Sequence, residues 1–212
     1  MKKNLLLIAI TVPLIGSALS GCVGVAAVGV GTAVVSSVDR RTTGTQVEDE
    51  GIELRVTNRI AERFGDKVHT NVTSYNRNVL LTGEVPDEKA RAEIEKIALG
   101  MANVRGATNE LQVAGGSSLT SRASDAGITG KVKARFLDAN RFNVLSIKVV
   151  TEASVVYLLG IVTEQEAADA VEIARTTGGV RKVVKVFEYC KPTEAICAPP
   201  APPKPKADEP KK

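Results

Sequence analysis

Tryptophan is missing from this chain of 212 residues, histidine occurs once, and the remaining aromatics are four phenylalanines and three tyrosines. Nucleic-acid binders need a concentrated basic stripe with stacking rings, so this composition argues against nucleic acid as a partner. One histidine, His69, and three cysteines leave no Ser-His-Asp, Cys-His or paired-carboxylate arrangement to assemble, and the chain is expected not to be an enzyme. Metal is not expected either, because His69 is remote in sequence from the cysteines and no CxxC-type spacing occurs. No cofactor and no small-molecule substrate are indicated.

What is present begins with a leader. Lys2 and Lys3 precede an apolar stretch from Leu5 to Leu19, then the small residues Ser20 and Gly21, then Cys22. Basic, apolar and small-residue blocks in that order form a secretory signal over residues 1–21. Leu19-Ser20-Gly21-Cys22 resembles a lipobox, which implies lipidation at Cys22; the alternative is a transmembrane helix running on through Val38. Two or three acyl chains anchor a protein stably where one does not. Val23, standing where an Asp would resemble an inner-membrane retention signal, implies the outer membrane, facing the periplasm. Losing Lys2 and Lys3 with the leader lowers the formal charge from +4 to +2. In an oxidising compartment the two remaining cysteines, Cys190 and Cys197, are candidates for a disulfide.

An internal repeat organises the rest. Asp49-Glu50-Gly51-Ile52 returns as Asp125-Ala126-Gly127-Ile128, and Val79 to Val85 returns as Val156 to Val162 with one residue inserted between the blocks. Ile52, Val56, Ile60 and Phe64 form one helical stripe, matched by Ile128, Val132 and Phe136. Leu145, Ile147 and Val149 alternate as a strand does, and a second helix opens on Thr163 and Glu166 at capping-box spacing. The pattern reads α-β-β-α-β twice, an α+β fold in which each copy has a three-stranded mixed sheet with two helices on one face. Gly83 and Gly160 fall mid-strand on the inward face and are assigned as packing residues that let a helix approach. The expected layout is leader 1–21, lipidated tether 22–48, first domain 49–113, linker 114–124, second domain 125–190 and a Pro/Lys-rich disordered tail 191–212.

On these residues the chain resembles the BON domain, named for bacterial outer-membrane and nodulation proteins, in tandem behind a lipobox. The match is carried by Gly44-Thr45-Gln46-Val47, Asn71-Val72-Thr73, Val79-Leu80-Leu81-Thr82-Gly83 and Val162-Thr163-Glu164 with Ala167. That resemblance implies binding of anionic phospholipid by the second domain and a role in outer-membrane integrity. Charge is consistent with such a role: residues 125–143 hold Lys131, Lys133, Arg135 and Arg141 against Asp125 and Asp138, net +2, whereas residues 49–67 carry a net −1. A basic helix with exposed apolar residues can lie on an anionic interface. Lys131, Lys133, Arg135, Leu137, Arg141 and Phe142 are therefore the candidate phospholipid-binding residues, with Leu137 and Phe142 for insertion. The bland alternative is a solvated helix face on which Arg135 pairs with Asp138. A competing function is a periplasmic adaptor for envelope or peptidoglycan-remodelling proteins.

Overall fold

The computed structural model describes residues 39–115 and 118–197. The leader, Cys22 and the tail from residue 198 onward lie outside the described residues.

The element order is α1 (Thr43–Phe64), β1 (His69–Tyr75), β2 (Asn78–Val85), α2 (Glu88–Leu99), β3 (Gly106–Asn109) and a short β4 (Gln112–Val113). The second copy follows as α3 (Leu119–Ala139), β5 (Ile147–Glu152), β6 (Val155–Val162), α4 (Glu164–Arg175) and β7 (Lys182–Tyr189). β1 and β5 pair antiparallel with the strand that follows each, while β3 and β7 add parallel on the other side. The fold is α+β, an α-β-β-α-β unit used twice; the second sheet has the three strands expected, whereas in the first, β4 also pairs parallel with β2 and makes a fourth. Ile52, Val56 and Ile60 of α1 meet Val79, Leu81 and Val85 of β2 and Ala90, Ile94 and Ala98 of α2 in the first core. Ile128, Val132 and Phe136 close the second core against Val156, Leu158, Val162, Ala170 and Ile173. Thr163 and Glu166 form the capping box that their spacing predicts.

Both first helices start earlier than the apolar stripe suggests. The stretch expected to be tether up to residue 48 is helical from Thr43, and the expected linker is helical from Leu119. Thr42 and Ser118 are the N-caps, accepting from the amides of Thr45 and Ser121. The segment leading into α1 is held by polar contacts instead of an inward stripe: Arg41 bonds Asp39 and Asp49, and Arg40 pairs in bidentate fashion with Glu166.

The alternation at 145–149 also breaks. Val144–Ser146 is a 3₁₀ turn in which the Asn143 side chain accepts from the Leu145 amide, so Leu145 points outward, 58% exposed. Gly83 and Gly160 do mark close approaches, but to a strand and not to a helix. A Cβ on Gly83 would overlap the backbone oxygen of His69 in β1, and one on Gly160 would lie 2.6 Å from the Ser146 oxygen. Gly83 further needs its φ of +114°, which side chains rarely tolerate.

β2 and β6 are buried along almost their whole length, on both faces. One face of each meets the helices. On the other, Tyr75 and Leu80 of the first copy pack with Val155, Tyr157, Leu159 and Ile161 of the second, so the two sheets cover each other's outer faces. Polar pairs frame this seam: Glu188 accepts from Asn76 and Asn78, Lys148 bonds Glu53 at 2.8 Å, and the Tyr75 hydroxyl donates to the Ser146 carbonyl. Cys190 and Cys197 are joined by a disulfide, with Cα atoms 6.2 Å apart, and Cys197 is buried against this cluster, so residues 191–197, expected to begin the disordered tail, form turns instead.

Candidate lipid-binding cleft

α3 ends at Ala139 because Asn140 turns left-handed (φ 45°) and returns its amide to the Phe136 carbonyl. The chain then runs through a loop longer than its counterpart after α1, and it is here that the repeat's extra residue falls. This loop lines a cleft of about 900 Å³ with Lys133, Leu137 and Arg141 on its helical side, Phe142, Val144 and Leu145 along the loop, and Lys148, Arg41 and Tyr75 opposite. The size suits part of an amphiphile.

Four cations border it. Arg41 is bound by Asp39 and Asp49 and sits 4.0 Å over the Tyr75 ring. Burial alone would lower its pKa, yet the bonds to the two aspartates outweigh that and raise it, so Arg41 is permanently charged. Burial pushes the Tyr75 hydroxyl up to about 12, with Asp39 adding to the rise. Arg141 pairs with Asp169 and Glu172, which likewise raise its pKa, and Lys148 pairs with Glu53. Lys133 has no acidic partner among the described residues. Leu137 is 65% exposed beside it.

The six residues expected to bind phospholipid thus separate. Lys133, Leu137, Arg141 and Phe142 come together at the cleft. Lys131 is exposed but, two residues from Lys133, projects about 160° away around the helix. Arg135 is neither free nor paired with Asp138. Its guanidinium donates to the Ile173 carbonyl and to the hydroxyls of Thr176 and Thr177, closing the C-terminal end of α4. Phe142 is only 9% exposed and packs edge-on against Phe136, ring centres 5.0 Å apart, so it forms the cleft's floor and is not an insertion residue. Leu145, masked in the sequence by its apparent strand alternation, is the exposed apolar group on this loop. Among the described residues no helix is long and apolar enough to cross a membrane.

Two sheets joined back to back, with helices outside, are built from one repeated family unit. Residues 48–115 and 124–191 each match the BON domain, and the chain belongs to that family. It is a tandem-BON protein of the outer-membrane lipoprotein kind. It is 36% identical over 173 residues to outer membrane lipoprotein DolP of Haemophilus influenzae, covering 81% of this chain and 90% of that one. Over 154 residues it is 33% identical to a 21 kDa hemolysin of Actinobacillus pleuropneumoniae, covering 72% and 79%. Osmotically-inducible protein Y of Escherichia coli shares 29% over 157 residues, covering 72% and 77%.

Proposed function

We propose that this outer-membrane lipoprotein binds anionic phospholipid through the cleft at the end of α3 and thereby supports envelope integrity, with lipid on Cys22 supplying the anchor. The observation that carries this reading is that Lys133, which has no acidic partner among the described residues, lines the same cleft as the exposed Leu137 and Leu145. A phosphate can sit against Lys133 while both leucines reach the acyl boundary. Each cation near an anionic surface adds about 1 kcal/mol, and each leucine taken out of water adds about 2 kcal/mol. Together these terms give measurable binding by the unit alone, which the acyl chains reinforce by holding it at the surface. The matching place in the first domain has a shorter loop, and residues 49–67 carry net negative charge, which supports a division of labour between the copies.

Vesicle flotation tests the proposal, with phosphatidylglycerol against phosphatidylcholine vesicles and a variant lacking both rim leucines. The intact two-domain unit is the proper reagent. Separated domains would expose Tyr157, Leu159 and Ile161 and adhere to vesicles for unrelated reasons. Failure of the unit to bind, with the fold intact, favours an adaptor for envelope proteins.

A further inference from the structure

The chain's one histidine lies at the seam between the two sheets. His69 Nδ1 is 3.0 Å from Glu84 Oε2 on the neighbouring strand, and Glu152 approaches from β5 of the other domain, so that one ligand atom from each of the three falls within 4.8 Å of the others. Glu84 is 8% exposed and Glu152 7%. Two carboxylates drawn together under burial beside an imidazole, from two domains, form a donor set and not a solvated acidic patch. Asn71 donates to Glu152 from the same face of β1, orienting its carboxylate. The arrangement is reachable: a second cleft, of about 600 Å³, opens onto His69 and Glu84, bordered by Asp66, Lys67 and Arg122.

From this geometry we infer that His69, Glu84 and Glu152 form an interdomain zinc site. One imidazole and two carboxylates with a fourth, open position are a set that Zn²⁺ takes in tetrahedral sites. At metal–ligand distances near 2.1 Å, neighbouring ligand atoms lie about 3.4 Å apart. The 3.0 Å His69–Glu84 spacing needs only slight opening to admit the ion, and Glu152, within 4.8 Å of both, has to close by about 1.4 Å at most. The cleft onto His69 and Glu84 leaves the fourth position to water. Among the described residues the three donors form one ligand set, so one zinc per chain is expected there. Bound zinc would join β1 and β2 of the first domain to β5 of the second.

The test uses the full mature chain in detergent, stripped with chelator and titrated with zinc chloride by calorimetry. One zinc per chain is expected, with a rise in melting temperature. His69→Ala and Glu152→Gln should each weaken binding at least tenfold, since even ligand-orienting residues have effects of that size, and should abolish the rise. Because there is a single histidine, its ring protons form one identifiable set in the NMR spectrum. They should shift with zinc at the same midpoint, a readout that holds even where a variant folds poorly. Unmoved ring protons at millimolar zinc would overturn the site. Binding undiminished in Glu152→Gln would overturn its interdomain character.

Discussion

Asp49 and Asp125 hold the same post in the two domains: each reaches from the first helix to the turn of its hairpin and accepts both turn amides. Asp49 accepts from Asn76 and Arg77 at 2.8 and 2.7 Å, Asp125 from Ala153 and Ser154 at 3.0 and 2.8 Å. All four turn residues have positive φ, the backbone of a tight two-residue hairpin, and Ala153 has no side chain suited to it. The aspartate supplies what the turn sequence does not. Both carboxylates are buried, and bonds to charged groups contribute about 1.5–3 kcal/mol. Asp125→Ala should therefore lower stability by about 3 kcal/mol in urea denaturation, and Glu50→Ala, one residue past Asp49 and exposed, by less than about 0.5 kcal/mol.

Arg135 and Lys133 lie two residues apart on α3 and should behave oppositely. Arg135→Glu removes the one guanidinium nitrogen that reaches three acceptors at the end of α4 and places a carboxylate against the Ile173 carbonyl, so it should cost about 2 kcal/mol or more of stability. Lys133→Glu should leave the melting temperature within a degree or two of the parent while weakening vesicle binding. Equal stability of the two variants would show that Arg135 is not a structural cap.

Acid should loosen the contact between the segment before α1 and α4. Burial by itself would raise the Glu166 carboxyl, but the Arg40 guanidinium and the Thr163 donors outweigh it and hold the carboxyl below its usual range. A depressed folded-state pKa contributes stability that is complete above the unfolded value, about 4.3, and is lost as pH falls through the folded value. The wild type should exceed Glu166→Gln by about 2 kcal/mol at pH 7, and the gap should begin to close as pH falls below about 4.3, the unfolded value. A gap independent of pH would contradict the ion pair.

Lipidation at Cys22 is the next expectation. The wild type should label with fatty acid and fractionate with outer membrane, and Cys22→Ser should yield an unprocessed or soluble species. Unchanged processing and fractionation in that variant would remove the anchor from the account.

The repeat and its α-β-β-α-β order are legible in the sequence because each element has one strong period: the Ile52, Val56, Ile60 stripe and the Val79, Leu81, Val85 alternation both face a helix-covered core. The back-to-back seam is harder to read. Its one local signal is the unbroken run from Val155 to Leu159, which marks a strand covered on both faces. The residues that frame the seam, such as Asn71 with Glu152 and Asn76 with Glu188, are separated by 81 and 112 positions and carry no shared pattern. For the cleft, charge counting finds the right helix but not the right side of it. Arg135 belongs to α4's end, Phe142 to the core, and Leu145 emerges only when Asn143 turns the chain.

The most direct measurement of the lipid-binding claim is flotation of the soluble unit spanning residues 39–197, without its anchor, on phosphatidylglycerol vesicles. The wild type should float with these and not with phosphatidylcholine, and its binding should fall as salt shortens the screening length from about 10 Å at 0.1 M to about 3 Å at 1 M. Leu137→Asp combined with Leu145→Asp, both exposed and thus neutral to folding, should reduce binding at least tenfold, the loss of about 1.4 kcal/mol or more. Undiminished flotation of that double variant, or equal binding to both vesicle types, would contradict the cleft as the membrane-binding site.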